Sequence, residues 1–579
     1  MTPATDSTRI WFWFAISSIA CLAVLAISPV KDYFREYRAY QNAYKQRLLA
    51  SAGSSKELKQ ARAESISVRQ VWLPELDRVD RCISCHLGVS NARMATAPEP
   101  YRFHPMTPHS NEFDRFGCVT CHRGQGRATT AEDAHGEVAD WRSPILPLRY
   151  TEASCGVCHE GEAVPEARLL TEGRKLMRRA GCVGCHELAE ERHWESEAPR
   201  LDGLAQKTTP EWLEAWLLAP RRIMPGTLMP DFHLTPEEAR ALVAYLWVQP
   251  PLESIDLGSS IGVGDATRGK KLFREARCIS CHTVEGRGNG SATELARVGS
   301  KIPRVWLVSF LANPHAFQPE TKMPRYNFSR GDLIDLTQYM SDEFSDPELP
   351  LAEPKVFRPS IKLVETGEAL YQQYGCSGCH RIEARKTRVR IGPELTGIGD
   401  KPAALLDFGR RDDLARSLPA WLAAKINSPR SFRADLKMPD FGFTKEQTEM
   451  LVVALLSYSG EKIPESLRVA AATPHYSPPG RFGELMRTYR CLSCHQVSGV
   501  GGDISTAPLT AEGSKVQRDW LKQYLLLPTT IRPLLTDRMI PVGMSEEEAD
   551  FIATFIENVY VDDSVPDEIF PDGIPAARL

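Results

Sequence analysis

The pentapeptide Cys-x-x-Cys-His occurs seven times in this chain of 579 residues, at Cys82–His86, Cys118–His122, Cys155–His159, Cys182–His186, Cys278–His282, Cys376–His380 and Cys491–His495. Together these copies use fourteen of the fifteen cysteines, leaving only Cys21. A lone C-x-x-C fits a redox pair or half a zinc site. Zinc needs four ligands and would pair the motifs, which an odd number forbids, and a disulfide framework gives no reason for His after every second Cys. Two thiols on one helical turn with an adjoining imidazole are what bonds both vinyl groups of a haem and ligates its iron from the same side. Seven c-type haems are therefore expected. Their thioethers come from Cys82, Cys85, Cys118, Cys121, Cys155, Cys158, Cys182, Cys185, Cys278, Cys281, Cys376, Cys379, Cys491 and Cys494. Their proximal iron ligands are His86, His122, His159, His186, His282, His380 and His495.

The net charge of −4, with no basic block, excludes nucleic acid as a partner. One stretch, Ile10 to Val30, is uncharged and mostly apolar, enough at about 1.5 Å per residue to cross a hydrocarbon core of roughly 30 Å. It is longer than a signal-peptide core, so a retained single-pass anchor is expected, with Cys21 as a lipid-facing or packed thiol. Arg9 stands alone before it, while Lys31, Arg35, Arg38, Lys45 and Arg47 follow, and the positive-inside rule would place the haems in the cytoplasm. After it, Tyr33, Tyr37, Tyr40 and Tyr44 share one helical face. That stripe would meet headgroups, a partner subunit or the chain's own first domain.

Three motifs crowd between residues 77 and 165, where three further histidines occur: His104, His109 and His135. Three spare imidazoles for three irons point to bis-His ligation, with Met94 and Met106 as substitutes. The sequence leaves open which His serves which haem. The glycine-rich run Gly124-Gln125-Gly126 is expected to let backbone pass close to a flat ligand. The segment from Arg81 through that run to Ala134-His135-Gly136 and Cys155 resembles the N-terminal part of membrane-anchored multihaem cytochromes. These accompany cytochrome b and Rieske-type quinol-oxidising complexes in bacteria.

From Thr171 the chain repeats four times. Each copy carries a glycine before its motif (Gly173, Gly269, Gly367, Gly483) and then a Trp-Leu pair (Trp212, Trp306, Trp421, Trp520). A proline stands eight residues after each Trp (Pro220, Pro314, Pro429, Pro528), followed by Met229, Met323, Met438 and Met539. Each copy closes on a helix capped at Thr235, Ser329, Thr444 or Ser545 with an acid or amide three residues on. These copies resemble the single-haem class I cytochrome c fold. The resemblance implies a proximal His, a distal Met from each copy and a proline whose carbonyl holds the proximal His, matching Pro199, Pro393 and Pro508. The Cys278 copy has no such proline, and Met544 competes with Met539. Resemblance to c-type cytochromes also implies attachment outside the cytoplasm, so the haem domains are expected in the periplasm, against the charge rule.

The fold expected is mainly α: an N-terminal transmembrane helix, an irregular trihaem module and four tandem class I cytochrome c domains. The boundaries are an anchor 1–30, a helical linker 31–76, the module 77–165, repeats 166–255, 256–355, 356–470 and 471–560, and an acidic tail 561–579 that frays or docks a basic partner. Saturated irons pass single electrons but do not bind substrate. The function expected is electron transfer in a respiratory or photosynthetic chain, from a cytochrome b/Rieske-like partner to a soluble cytochrome or terminal oxidase or reductase. The rivals are a nitrite, nitric oxide or peroxide reductase with one five-coordinate haem in the module, and an assembly subunit.

Overall fold

The computed structural model describes residues 4–562 apart from 110–111, 139–140, 142, 162, 165, 192–193, 197, 252–260, 289–291, 319–320, 322, 384–389, 462, 470–475, 503–507 and 529–538. The acidic residues 563–579, expected to fray or dock, lie outside the described residues, as does most of the linker around 252–260.

The chain is mostly helical. Its first helix, Ala4–Tyr33, carries Ile10, Trp11, Phe12, Trp13, Phe14 and Leu22 exposed, and it is long and apolar enough to cross a membrane. The path turns at Phe34 and Arg35 into the helix Glu36–Ala50. There the tyrosine stripe divides. Tyr33 stays exposed, whereas Tyr37 and Tyr44 are buried, Tyr44 stacks on Tyr101, and Gln41 donates to the carbonyls of Ser67 and Ser84. The stripe past Tyr33 therefore packs on the chain's own N-terminal module. Among the described residues the strands form two-stranded antiparallel hairpins. The first pairs Val71–Leu73 with Arg78–Asp80 and ends on Asp80.

The helices form two packed units, and sequence order does not follow them. The first comprises residues 1–194, 392–438 and 442–471, the second 195–391, 439–441 and 472–579. In the first unit the helix Arg168–Arg179 lies against Lys445–Ser457, and a Cβ on Gly173 would stand 2.0 Å from the Met450 carbonyl. In the second unit Ile361–Gln373 lies against Pro236–Trp247, with Gly367 equally close, 1.9 Å, to the Ala241 carbonyl. Only a residue without a Cβ allows two helices to cross this tightly. The glycines expected to open these helices thus sit within them and form the crossing points.

The tandem boundaries 166–255 and 356–470 are corrected by this pairing. The first half of each packs on the second half of the other. Residues 256–355 close on themselves: Gly269 meets the Asp335 carbonyl at 2.1 Å, and Phe273, Trp306, Leu336, Met340 and Phe344 share one core. The last repeat also has its own core, built on Phe482, Met486, Leu521, Ile552 and Ile556. The physical reason is likeness among repeats, because the first halves of the first three copies offer the same glycine crossing and their second halves the same capped helix, whereas Gly483 of the last copy meets the Pro478 carbonyl instead. All four closing helices carry the anticipated capping box, at Thr235/Glu238, Ser329/Asp332, Thr444/Gln447 and Ser545/Glu548.

One linker is also revised. Asp346 is buried with its carboxylate 2.9 Å from Arg297, and Ala352 donates to the Gly299 carbonyl, so the start of the supposed linker Asp346 to Pro359 belongs to the second repeat's fold.

Candidate metal centres

The N-terminal module brings each proximal histidine opposite one spare histidine. Ring centroids lie 6.4 Å apart for His86 and His135, 6.1 Å for His122 and His104, and 6.3 Å for His159 and His109. A metal bonded to both rings at about 2 Å, with each ring reaching roughly 1 Å further to its centroid, requires a separation of about 6 Å. All three pairs fit an iron held between them.

The remaining ring nitrogens are occupied where this matters. His104 Nδ1 is 2.8 Å from the Pro105 carbonyl and His109 Nδ1 is 2.9 Å from Glu112, which leaves Nε2 of each for a metal. Burial, and then the neighbouring imidazole, hold His86, His122 and His159 below the ordinary histidine range, favouring the neutral ligand form.

Asp80 ties two motifs together. Its carboxylate is 1% exposed and accepts from the backbone N–H of Cys82 (2.9 Å), Cys118 (2.6 Å) and Val119 (2.9 Å). The thiols of Cys82 and Cys118 lie within 4.8 Å of each other and of this carboxylate. That cluster has the donors of a small cation site, but both thiols belong to C-x-x-C-H motifs, so it reads as the shared edge of two attachment turns.

The glycine run works differently from expectation. A Cβ on Gly124 would stand 2.5 Å from the Ala134 carbonyl and one on Gly126 2.5 Å from the Val79 carbonyl. The close approach is to protein backbone, and it draws the His135-bearing helix Ala131–His135 onto the second motif.

In the repeats the proximal rings are oriented by carbonyls, but not always the expected ones. His186 Nδ1 bonds the carbonyl of Pro393 at 2.8 Å, and His380 Nδ1 that of Pro199 at 2.9 Å, each from the other repeat. His282, whose repeat lacks the proline, bonds Thr293 at 2.6 Å. Proline is not required there, because only the carbonyl acts. In the last repeat Leu509 donates to Gln496, as Leu295 does to Thr283. By this register Pro508 stands one residue before its donor leucine, whereas Pro393 and Pro199 stand two before theirs. Pro508 is thus corrected as the counterpart of Pro199 and Pro393.

The thiol environment argues against redox cysteines. Burial pushes Cys278 and Cys491 up to about 12, whereas reactive thiols are held below their ordinary value.

The methionines take comparable places. Met229, Met323 and Met539 are half-buried at the rims of cores that also contain Cys376, Cys278 and Cys491 respectively, and Met438 is likewise half-buried. Met544 is instead fully buried among Phe482, Ile552 and Ile556, a packing position, which leaves Met539 as the candidate ligand.

Unmet donors in the first two repeats are compatible with an acidic ligand group beside them. Trp212 and Trp306 are buried with indole N–H groups that find no acceptor among the described residues, and the Thr208 hydroxyl likewise finds no partner there. Such groups cost about 1–3 kcal/mol each unless a ligand carboxylate such as a haem propionate satisfies them. The other two tryptophans differ: Trp421 donates to the Asp407 carbonyl, and Trp520 is 43% exposed. Gly392 was missed in the sequence because its need is tertiary. A Cβ there would stand 2.6 Å from the His186 ring. Gly392→Ala is expected to displace that ring and cost about 1–3 kcal/mol by overpacking. Thermal unfolding together with a fall in that haem's potential would show it.

Two segments, 170–249 and 266–342, match the Cytochrome c family model. Domains of that family carry covalently bound haem c and indicate a haem-based electron-transfer role. No curated protein and no solved structure matches the chain.

Proposed function

We propose that the chain is a membrane-anchored carrier of seven c-type haems that moves electrons from a quinol-oxidising partner of the cytochrome b/Rieske kind to a periplasmic acceptor. The observation that carries this reading is the three histidine pairs at 6.1–6.4 Å. They would supply two strong ligands to each iron of the N-terminal module, which would leave no coordination position for nitrite, nitric oxide or peroxide. A bound haem supplies one-electron chemistry at its iron. The protein holds each ring, excludes water and sets potential through ligand choice, imidazole pairs giving lower values and His/Met pairs higher ones.

Contacts within each unit support a route. In the first unit Arg174, from the helix before Cys182, donates to the carbonyls of His159 and Gly161, and Val469 bonds Cys158 and Glu160 on either side of His159. These join the third motif to the fold around the fourth. In the second unit Lys207 lies 5.3 Å from the Trp306 ring and Lys301 4.8 Å from the Trp212 ring, a reciprocal clasp between neighbouring haem folds. Arg277, just before Cys278, reaches the carbonyls of Met539 and Pro528, and Arg490, just before Cys491, bonds His315 at 3.1 Å. Both arginines hold left-handed backbone, φ 54° and 53°, where the other two repeats have glycine. That strain of about 1 kcal/mol is offset by the cross-domain bonds. The Cys278 centre is thereby the middle station of the second unit, between the Cys376 and Cys491 centres.

The purified membrane protein should contain seven haems per chain, bind no carbon monoxide when reduced, and titrate over a wide potential range. High-spin iron with carbon monoxide binding would support a reductase, and a single narrow titration would refute the gradient.

A further inference from the structure

The first and third repeats make the same set of bonds with each other that the second makes with itself. Around His186, the Gly392 N–H donates to the Cys185 carbonyl, Leu395 to Glu187, and Ala189 to the Thr396 hydroxyl. Around His380, Leu201 donates to the Arg381 carbonyl and Glu383 to the Asp202 carboxylate. The offsets coincide: Leu395 and Leu201 each stand two residues after the orienting proline and bond the residue after the histidine. In the self-closed second repeat the equivalent bond runs from Leu295 to Thr283.

The cores follow the same exchange. Met229 packs with Tyr371, Tyr374 and Cys376, and the Tyr374 hydroxyl donates to Glu238 at 2.9 Å. Gly173 crosses at Met450 and Ala454, the helix that follows Met438, whereas Gly367 crosses at Ala241 and Tyr245, the helix that follows Met229. In the first three repeats the orienting carbonyl, the methionine and the capped helix follow one another along one stretch of chain, starting at Pro199, Thr293 and Pro393 and ending at Trp247, Glu343 and Ser457. Whatever segment supplies the carbonyl and the helix to a motif therefore supplies the methionine.

We infer that the distal ligands are exchanged within the chain: Met438 ligates the iron held by Cys182, Cys185 and His186, and Met229 the iron held by Cys376, Cys379 and His380. This rests on the haem reading proposed above and adds which segments complete each site. The Cys376 centre has all its segments once the chain reaches Glu383, whereas the Cys182 centre waits for Met438 and the helix that ends at Ser457, so the fourth motif is made before the sixth and completed after it, and the second repeat, lying between them in sequence, closes on its own.

Cross-linking in the full chain separates exchange from self-closure. Glu446 and Glu237 occupy the same place two residues after the caps Thr444 and Thr235, and Arg168 and Lys362 the same place five residues before Gly173 and Gly367. Arg168 lies 3.5 Å from Glu446. In a Cys21→Ser background, a short bifunctional maleimide should join Arg168→Cys to Glu446→Cys and Lys362→Cys to Glu237→Cys. Joining of 168 to 237, or of 362 to 446, would overturn the exchange, and so would failure of both expected pairs. A second measurement reads the ligand itself. In a chain whose Cys376 and Cys379 are replaced by alanine, three methionine-ligated irons remain, and Met438→Ala should remove about a third of the methionine-to-ferric-iron charge-transfer absorption. Loss of that third through Met229→Ala instead would overturn the assignment. Haem content measured on the same preparations keeps the two readings apart: fewer than seven haems in the unmodified chain refutes the carrier, whereas seven haems with the wrong cross-links refutes only the exchange.

Discussion

Asp80→Ala is expected to destabilise the N-terminal module by about 3–5 kcal/mol and to lower haem attachment at Cys82 and Cys118 together. Hydrogen bonds to a charged group contribute about 1.5–3 kcal/mol each, and a buried donor left without its acceptor costs a similar amount. Asp80 accepts three such bonds at 1% exposure, from the first residue of one motif and the first two of the next. The contributions are not additive, so the net loss falls below the sum of the three bonds. Gly117, at φ 65°, leaves the carboxylate its room, since a Cβ there would stand 2.8 Å from Asp80 Oδ2. Asp80→Asn is expected to recover only part of the loss, because its amide nitrogen must face at least one N–H donor. Peptide mapping of haem on each motif, together with thermal unfolding of the full chain, checks this. Loss at Cys82 without loss at Cys118 would show that the carboxylate does not couple the two turns.

What the sequence made legible was local. The seven motifs and the four capping boxes each depend on residues within five positions of one another, so spacing alone identifies them. The count of spare histidines near the first three motifs was legible for the same reason. Their partners were not, because His104, His109 and His135 sit on irregular backbone: His109 has φ 63°, and His135 ends a five-residue helix. Nothing periodic announces where such a ring points.

The exchange between the first and third repeats was hidden by a different cause. Near-equivalent halves are interchangeable in pattern, and choosing between Gly173 on Ala241 and Gly173 on Met450 takes coordinates. Thr293 and Pro508 make the same point at finer scale. A carbonyl is common to all residues, so the residue type that usually carries it is a weak sign of where it lies.

His135→Ala is expected to open one iron of the carrier, and it is the sharpest check of the histidine pairing. His86 lies buried opposite His135 at 6.4 Å, and no other imidazole pairs with it in the module: His104 is paired with His122 and His109 with His159. Removing His135 should therefore leave the iron on His86 five-coordinate, so that carbon monoxide binds about one haem in seven after reduction. His135→Met should keep that iron six-coordinate while raising its midpoint potential by on the order of 100–200 mV, a fraction of the roughly 0.8 V that axial ligation spans. His233→Ala is the control, since His233 is exposed, lies 3.6 Å from Asp231 and belongs to no motif. The two variants at position 135 discriminate ligation from a structural role. A histidine that merely caps its short helix would be lost equally in both, whereas a ligand is replaced by methionine and missed by alanine. Equal carbon monoxide binding by His135→Ala and His135→Met, or none by either, would assign the sixth ligand of the first haem elsewhere, with Met94, buried in a core with Leu87 and Tyr101, as one alternative.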